Sequence, residues 1–344
     1  MCPERGILQL FDPPTAYQAA YQQPTGSRFG GDALYNGENR RFGAMISYYI
    51  NRPEDKKAPE EAEDKKKKKK KNKNKKEETK PQEETKPKVA YDSIKLEIYD
   101  GTRLIRTLKQ KAPKENGMHK IYWFMDEKGV DRPSRSLRER RNEPSGVSVK
   151  PGTYQLKMYF GDQTSESSIE VAYDPRLKMS DAAIDEIYNT SKDMEKDQQL
   201  MSDVVEQLVE SKNIATNFKS KLSKEDADAS SENKKYKEEI KASDEIAEEI
   251  DKLIALFLGK VDRRQGITRN PEVTISQRFS TARQYVGSRY GNITATERQL
   301  IKQYKDAMND AIQKVNEFFD KDWKDYKAKV ETINISPFKE IKKF

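Results

Sequence analysis

The chain has one cysteine, Cys2, and one histidine, His119, among its 344 residues. One cysteine excludes an intramolecular disulfide and any thiolate metal cluster. One histidine excludes the usual histidine-rich zinc sites and leaves a single candidate for a histidine general base. No serine or cysteine nucleophile signature accompanies it, so His119 reads as a strand-end residue touching solvent. Long apolar runs are also missing. Nowhere do ~18 apolar residues follow one another, so no stretch reads as a transmembrane helix. Met1 to Phe11 holds no apolar run long enough for a secretory signal peptide, which leaves a cytosolic protein or the later part of a longer one. Neither a cofactor nor a metal is expected.

Charge is what the sequence has in quantity. Charged residues make up 36% of the chain and hydrophobic ones 34%, so part of it must be solvated helix surface or disorder. The charge is unevenly spread. Residues 52–88 hold 16 basic and 10 acidic residues and so carry +6 of the net +8, leaving the rest nearly neutral. A strongly basic nucleic-acid-binding domain is therefore not indicated. Within 52–88 there is no aromatic residue and no Ile, Leu, Val or Met. Such a segment cannot bury enough apolar area to offset its chain entropy, and it reads as a disordered insertion between two strands. Its run Lys65, Lys66, Lys67, Lys68, Lys69, Lys70 and Lys71 could hold a polyanion, nucleic acid or an anionic headgroup. A solvated loop is the plainer reading, since no aromatic interleaves for base stacking.

The strand period governs the chain on both sides of that insertion. Tyr154, Leu156, Met158 and Phe160 alternate with polar residues, Gly161-Asp162 supplies a two-residue turn, and Ile169, Val171 and Tyr173 return. Gly43–Ile50 reads as an earlier strand, with Ala44, Ile46, Tyr48 and Ile50 on one face. Ile94, Leu96 and Ile98 lead to a turn at Asp100-Gly101, and Thr102–Leu108 returns. Met118–Met125 places Ile121, Trp123 and Met125 on one face, with His119 near its mouth. Residues 126–149 read as a polar excursion. Six strands so spaced predict an antiparallel immunoglobulin-like β-sandwich.

After Ser180 the period becomes helical. Ile187, Met194, Met201, Leu208, Ala215 and Leu222 recur every seven residues, as in a coiled coil. A second amphipathic run spans Tyr236–Leu258, a third Ile275–Val286, and a fourth opens at the capping box Thr294-Ala-Thr-Glu297 and continues to Val330. The links between these runs predict an elongated antiparallel helical bundle. The class is thus α+β multidomain: an extended segment 1–42, a sandwich 43–176 interrupted at 52–88, and a bundle 177–344. Within the first segment Tyr17, Tyr21, Phe29 and Tyr35 belong to no periodic element. Aromatic residues in so irregular a stretch predict docking against a partner surface.

Several of these stretches resemble, in order, the C-terminal region of bacterial sortilin-like proteins, secreted Asp-box (BNR) repeat proteins often called glycosyl hydrolase-like. They are Leu10-Phe11 with Pro13 and Tyr17, Gly37–Tyr49, Leu104–Leu108, Gly117…Trp123, Pro151–Tyr154 and Asp174-Pro-Arg176. The resemblance implies a preceding β-propeller, secretion to the periplasm or cell surface, and a helical tail. The family usually has prolines where Arg40 and Arg41 stand, and the lysine insertion is not part of its pattern. No Asp-box motif occurs in this chain, so no catalytic residue carries over. The resemblance implies a non-catalytic module packed on an upstream propeller or another protein. Two alternatives stand beside it: part of a glycosidase, which needs two carboxylates ~5–10 Å apart in a deep pocket, and polyanion binding through the lysines.

Overall fold

A computed structural model of the chain describes residues 6–19, 41–53, 90–137, 142–227, 235–261 and 272–333. The protein is α+β, with antiparallel and mixed sheets followed by four main helices. It divides into two compact units, Met1–Gly129 with Arg141–Lys178, and Val130–Arg140 with Met179–Phe344.

Among the described residues the first unit has ten strands: β1 (Leu8–Leu10), β2 (Ala16–Gln18), β3 (Ala44–Ile50), β4 (Ser93–Asp100), β5 (Arg103–Lys111), β6 (Gly117–Trp123), β7 (Asp126–Lys128), β8 (Ser145–Ser148), β9 (Gly152–Phe160) and β10 (Gln163–Tyr173). They form a sheet of order β1-β3-β6, a sheet of order β2-β10-β9-β4-β5 and the small pair β7-β8. Every pairing is antiparallel except β2 with β10. The alternation seen in sequence sets which side chains turn inward. Ile46, Tyr48 and Ile50 from β3, Ile121 and Trp123 from β6, and Leu96, Leu156 and Met158 from the larger sheet fill one shared core. Trp123 is fully enclosed; its ring meets Tyr154 edge-on at 5.4 Å and its indole N–H donates to the Asp126 carbonyl at 2.8 Å. The β9–β10 hairpin turns at Gly161, whose φ of 61° and contact with the Tyr91 ring leave no room for a Cβ.

Two features differ from the expected strand pattern. The stretch assigned to an extended docking segment contributes β1 and β2 to the two sheets, with Leu10 and Ala16 buried in the shared core. For residues 6–19 the surface that holds them is therefore this unit itself. Strands of three residues are too short for a period of two to show. The run read as a strand to Met125 stops at Trp123. Met125 takes a left-handed φ of 56°, which breaks the ladder, and the chain re-pairs as β7 with β8 inside the expected polar excursion. The lysine insertion from residue 54 onward lies outside the described residues.

The second unit holds α1 (Asp181–Ala227), α2 (Lys237–Leu258), α3 (Ile275–Gly287) and α4 (Ala295–Phe318), the last running through a π-helical turn Phe319–Trp323 into a short α5 (Lys324–Glu331). The seven-residue repeat of α1 faces the interior: Met194, Met201, Leu208, Ala215 and Leu222 are buried and Ile187 packs against the same core. Two ion pairs, Lys212–Asp251 and Lys219–Asp244, fix α1 and α2 in opposite directions. Gln198 on α1 donates to the carbonyls of Val130 and Asp131, and Arg135 donates to the carbonyl of Gly259. Residues 130–137 are thus a strap belonging to the helices.

Candidate docking face

One side of the β1-β3-β6 sheet is committed to the core, so the residues of opposite parity must face away from it. On β3 these are Met45, Ser47 and Tyr49; on β6 they are Met118, Lys120 and Tyr122, and the register sets Tyr49 opposite Met118, Ser47 opposite Lys120 and Met45 opposite Tyr122. Phe124 extends the row. It sits between Trp123 and Met125, both anchored in the core, and so has only the outward direction open. The second ring comes from the chain entering β3. Gly43 has φ of 112°, and a Cβ there would lie 2.9 Å from the Trp123 carbonyl oxygen. A glycine is required for the backbone to pass that close and bring Phe42 across to Phe124.

Phe42 and Phe124 stack with centroids 6.5 Å apart and planes 10° from parallel. The Arg41 guanidinium lies 4.8 Å from the Tyr122 ring centroid and 5.9 Å from that of Phe124. That spacing is within reach of a cation–π attraction, worth about 0.5–1 kcal/mol at an exposed site. Exposure stays high all the same: 42% at Phe42, 46% at Phe124 and 55% at Met118. Arg, Tyr, Phe and Met clustered on one face match the composition of interface cores. Among the described residues β6 has a strand on one side only, so its outer edge carries unpaired backbone groups next to the aromatic cluster. At the opposite edge the Leu10 N–H donates to Ser165 Oγ of β10, which blunts β1 as a template.

The residues singled out by sequence fall elsewhere. Tyr17 stands 43% exposed on β2, an edge strand of the other sheet, paired with Ala172. Tyr21, Phe29, Tyr35 and Lys65 to Lys71 lie outside the described residues. His119 sits on β6 opposite Tyr48, with rings 5.8 Å apart, and its Nε2 is 2.9 Å from the backbone carbonyl of Glu115. Sequence reasoning passed over Phe42, Phe124 and Arg41. Parity alone could have found Phe124, since an aromatic flanked by two core anchors must point out. Among the described residues no group of three or more His, Cys, Asp or Glu could hold a metal ion. Nor is any helix among them long and apolar enough to cross a membrane.

Among the described residues this face presents flat aromatic area, two cations in Arg41 and Lys120, and a strand edge paired on one side only. Comparison with protein-family models, curated proteins and solved structures gives no match to this chain.

Proposed function

We propose that this chain is a non-catalytic interaction module, an immunoglobulin-like sandwich followed by an elongated antiparallel helical bundle, that docks on a β-propeller of the sortilin-like Asp-box kind. The observation that carries the proposal is the exposed Phe42–Phe124 stack with Arg41 and Tyr122, beside an edge of β6 that no strand covers among the described residues. Soluble monomers rarely leave such a patch uncovered, and aromatic–arginine clusters supply the anchors of protein interfaces. The sandwich reading is supported by two sheets sharing one core, with a buried tryptophan against a tyrosine at its centre. Secretion belongs to the same proposal and rests on the resemblance in sequence. The glycosidase alternative gains no support from the cleft in the helical unit, whose lining contains no Asp or Glu.

The test is a titration of the chain against a purified Asp-box propeller domain, followed by calorimetry. Phe124→Ala should weaken binding by about 2 kcal/mol, as expected of a central aromatic anchor, while Tyr17→Ala should change it little. A propeller that binds the Phe124→Ala chain undiminished would sink the docking face.

A further inference from the structure

The helical unit contains a cleft of ≈ 620 Å³, within the range that takes a small organic ligand. Its apolar wall is Met201 of α1, Leu258 at the end of α2 and Phe279 of α3. Its polar wall is unusual in charge. Arg283 of α3 and Arg132 of the strap both line it, and neither forms an ion pair among the described residues. Among the described residues Arg283 has one hydrogen-bond partner, Gln198 Oε1 at 3.4 Å, a long and neutral contact. Gln198 is itself buried and spends its amide N–H groups on the Val130 and Asp131 carbonyls, which fixes the strap and so positions Arg132. Burial, and then the neighbouring Arg132 cation, pull the Arg283 guanidinium below its ordinary value; Glu195 opposes them more weakly. The guanidinium nevertheless stays protonated. Glu195 is not in the lining and is itself paired with Lys192 at 2.6 Å.

A second observation points the same way. Ser276 lines the cleft, and its Oγ is enclosed by protein with no hydrogen-bond partner among the described residues. It stands in the first turn of α3, just inside the Thr274 cap, where the helix dipole favours negative charge. Two like charges held together, one of them half-buried, and an orphaned hydroxyl are costs that one ligand group would relieve. An oxyanion accepts from both guanidiniums and from the serine, and removes the repulsion between the arginines.

We propose that this cleft binds a small amphipathic oxyanion, a carboxylate or phosphate head on Arg132, Arg283 and Ser276 with an apolar body against Met201, Leu258 and Phe279. The site is separate from the docking face and does not depend on it. Calorimetric titration of the full chain with phenyl phosphate, octanoate, inorganic phosphate and octylammonium tests it. Phenyl phosphate or octanoate should bind at one site per chain, the tighter of the two identifying the head group. Inorganic phosphate should bind more weakly and octylammonium not at all. Arg283→Gln and Arg132→Gln should each weaken the anion by about tenfold, the loss of one charge-assisted contact. Arg132 lies exposed on the strap, so its variant keeps the test valid if Arg283→Gln folds poorly. The proposal is overturned if neither organic anion binds, if inorganic phosphate binds as tightly as phenyl phosphate, if octylammonium binds equally well, or if Arg132→Gln leaves the anion's affinity unchanged.

Discussion

Glu97 accepts three hydrogen bonds on the outward face of β4, from Lys95 at 2.9 Å, Tyr99 at 2.7 Å and Tyr159 at 2.8 Å. Burial alone would raise its carboxyl, but these donors outweigh burial and hold it below the usual 4.5. Burial and then the bond to Glu97 push Tyr159 up to about 12. The signs follow from linkage. A depressed carboxyl contributes stability above 4.5 that is lost as pH falls through its folded value, and a raised phenol contributes stability below 10.0 that is lost as pH rises toward about 12. Glu97→Gln should therefore flatten both limbs of a melting-temperature profile against pH, and an unchanged alkaline limb would contradict the network. Little of this was legible in sequence: alternation told that Glu97 faces outward but not which donors converge on it. Arg106 was less legible still. The register of β4 against β5 shifts at Ile98/Tyr99, and the extra residue puts both Ile105 and Arg106 inside. There Arg106 donates to the carbonyls of Glu127, Glu143 and Pro144 and faces Asp126 at 3.7 Å. A bulge inverts the parity on which a face assignment depends, and here it places an arginine in the interior.

Elements were legible where their signal is local. The Thr294–Glu297 capping box was readable as a helix start, and there the Thr294 N–H donates to the Glu297 carboxylate at 2.8 Å. The same logic holds for Thr274 and Gln277, whose reciprocal bonds of 3.2 Å and 2.9 Å open α3. The π turn was not readable, because the apolar spacing of α4 runs on through it. Phe318 and Tyr326 are buried on either side, and Trp323 lies between them, 6.5 Å from one ring and 5.5 Å from the other. A widened turn shifts the helix phase by about one residue, and here it coincides with this run of rings. At the start of β3 the decisive signal was a single glycine. Gly43→Ala must either strain a φ of 112° or displace the Trp123 carbonyl 2.9 Å from the added carbon. A cost of roughly 1–3 kcal/mol in chemical denaturation is expected, with the Phe42–Phe124 stack lost. A variant as stable as the parent would show that the entry to β3 relaxes freely.

At the scale of the whole molecule the chain changes units three times: after Gly129, after Arg140 and after Lys178. Composition announced the last of these, where the period turns from two to three and a half, and missed the first two. The strap from Val130 carries no periodicity of its own, and Gln198, which holds it, lies 67 residues further along the chain than Asp131. A long-range tether of that kind leaves no local mark in a sequence. Each unit has enough buried apolar residues for its own interior. The buried clusters bear this out, since the one around Trp123 and Tyr154 shares no residue with the one around Leu208, Phe257 and Tyr304. Separate cores make separate unfolding the expected behaviour. The molecule also supplies the reporters, for its two tryptophans stand one in each unit, Trp123 in the first and Trp323 in the second. Trp123→Ala removes a side chain with no exposure and opens a cavity beside Tyr154, at a typical cost of ~3–5 kcal/mol. That is a large part of what holds a domain of this size together. The variant should lose the β unit at mild denaturant while its helical far-UV signal and the fluorescence of Trp323 unfold at the parent's midpoint. If helix and β signal were lost together in one shifted transition, the two cores would be a single cooperative system and the division into units would have no energetic meaning.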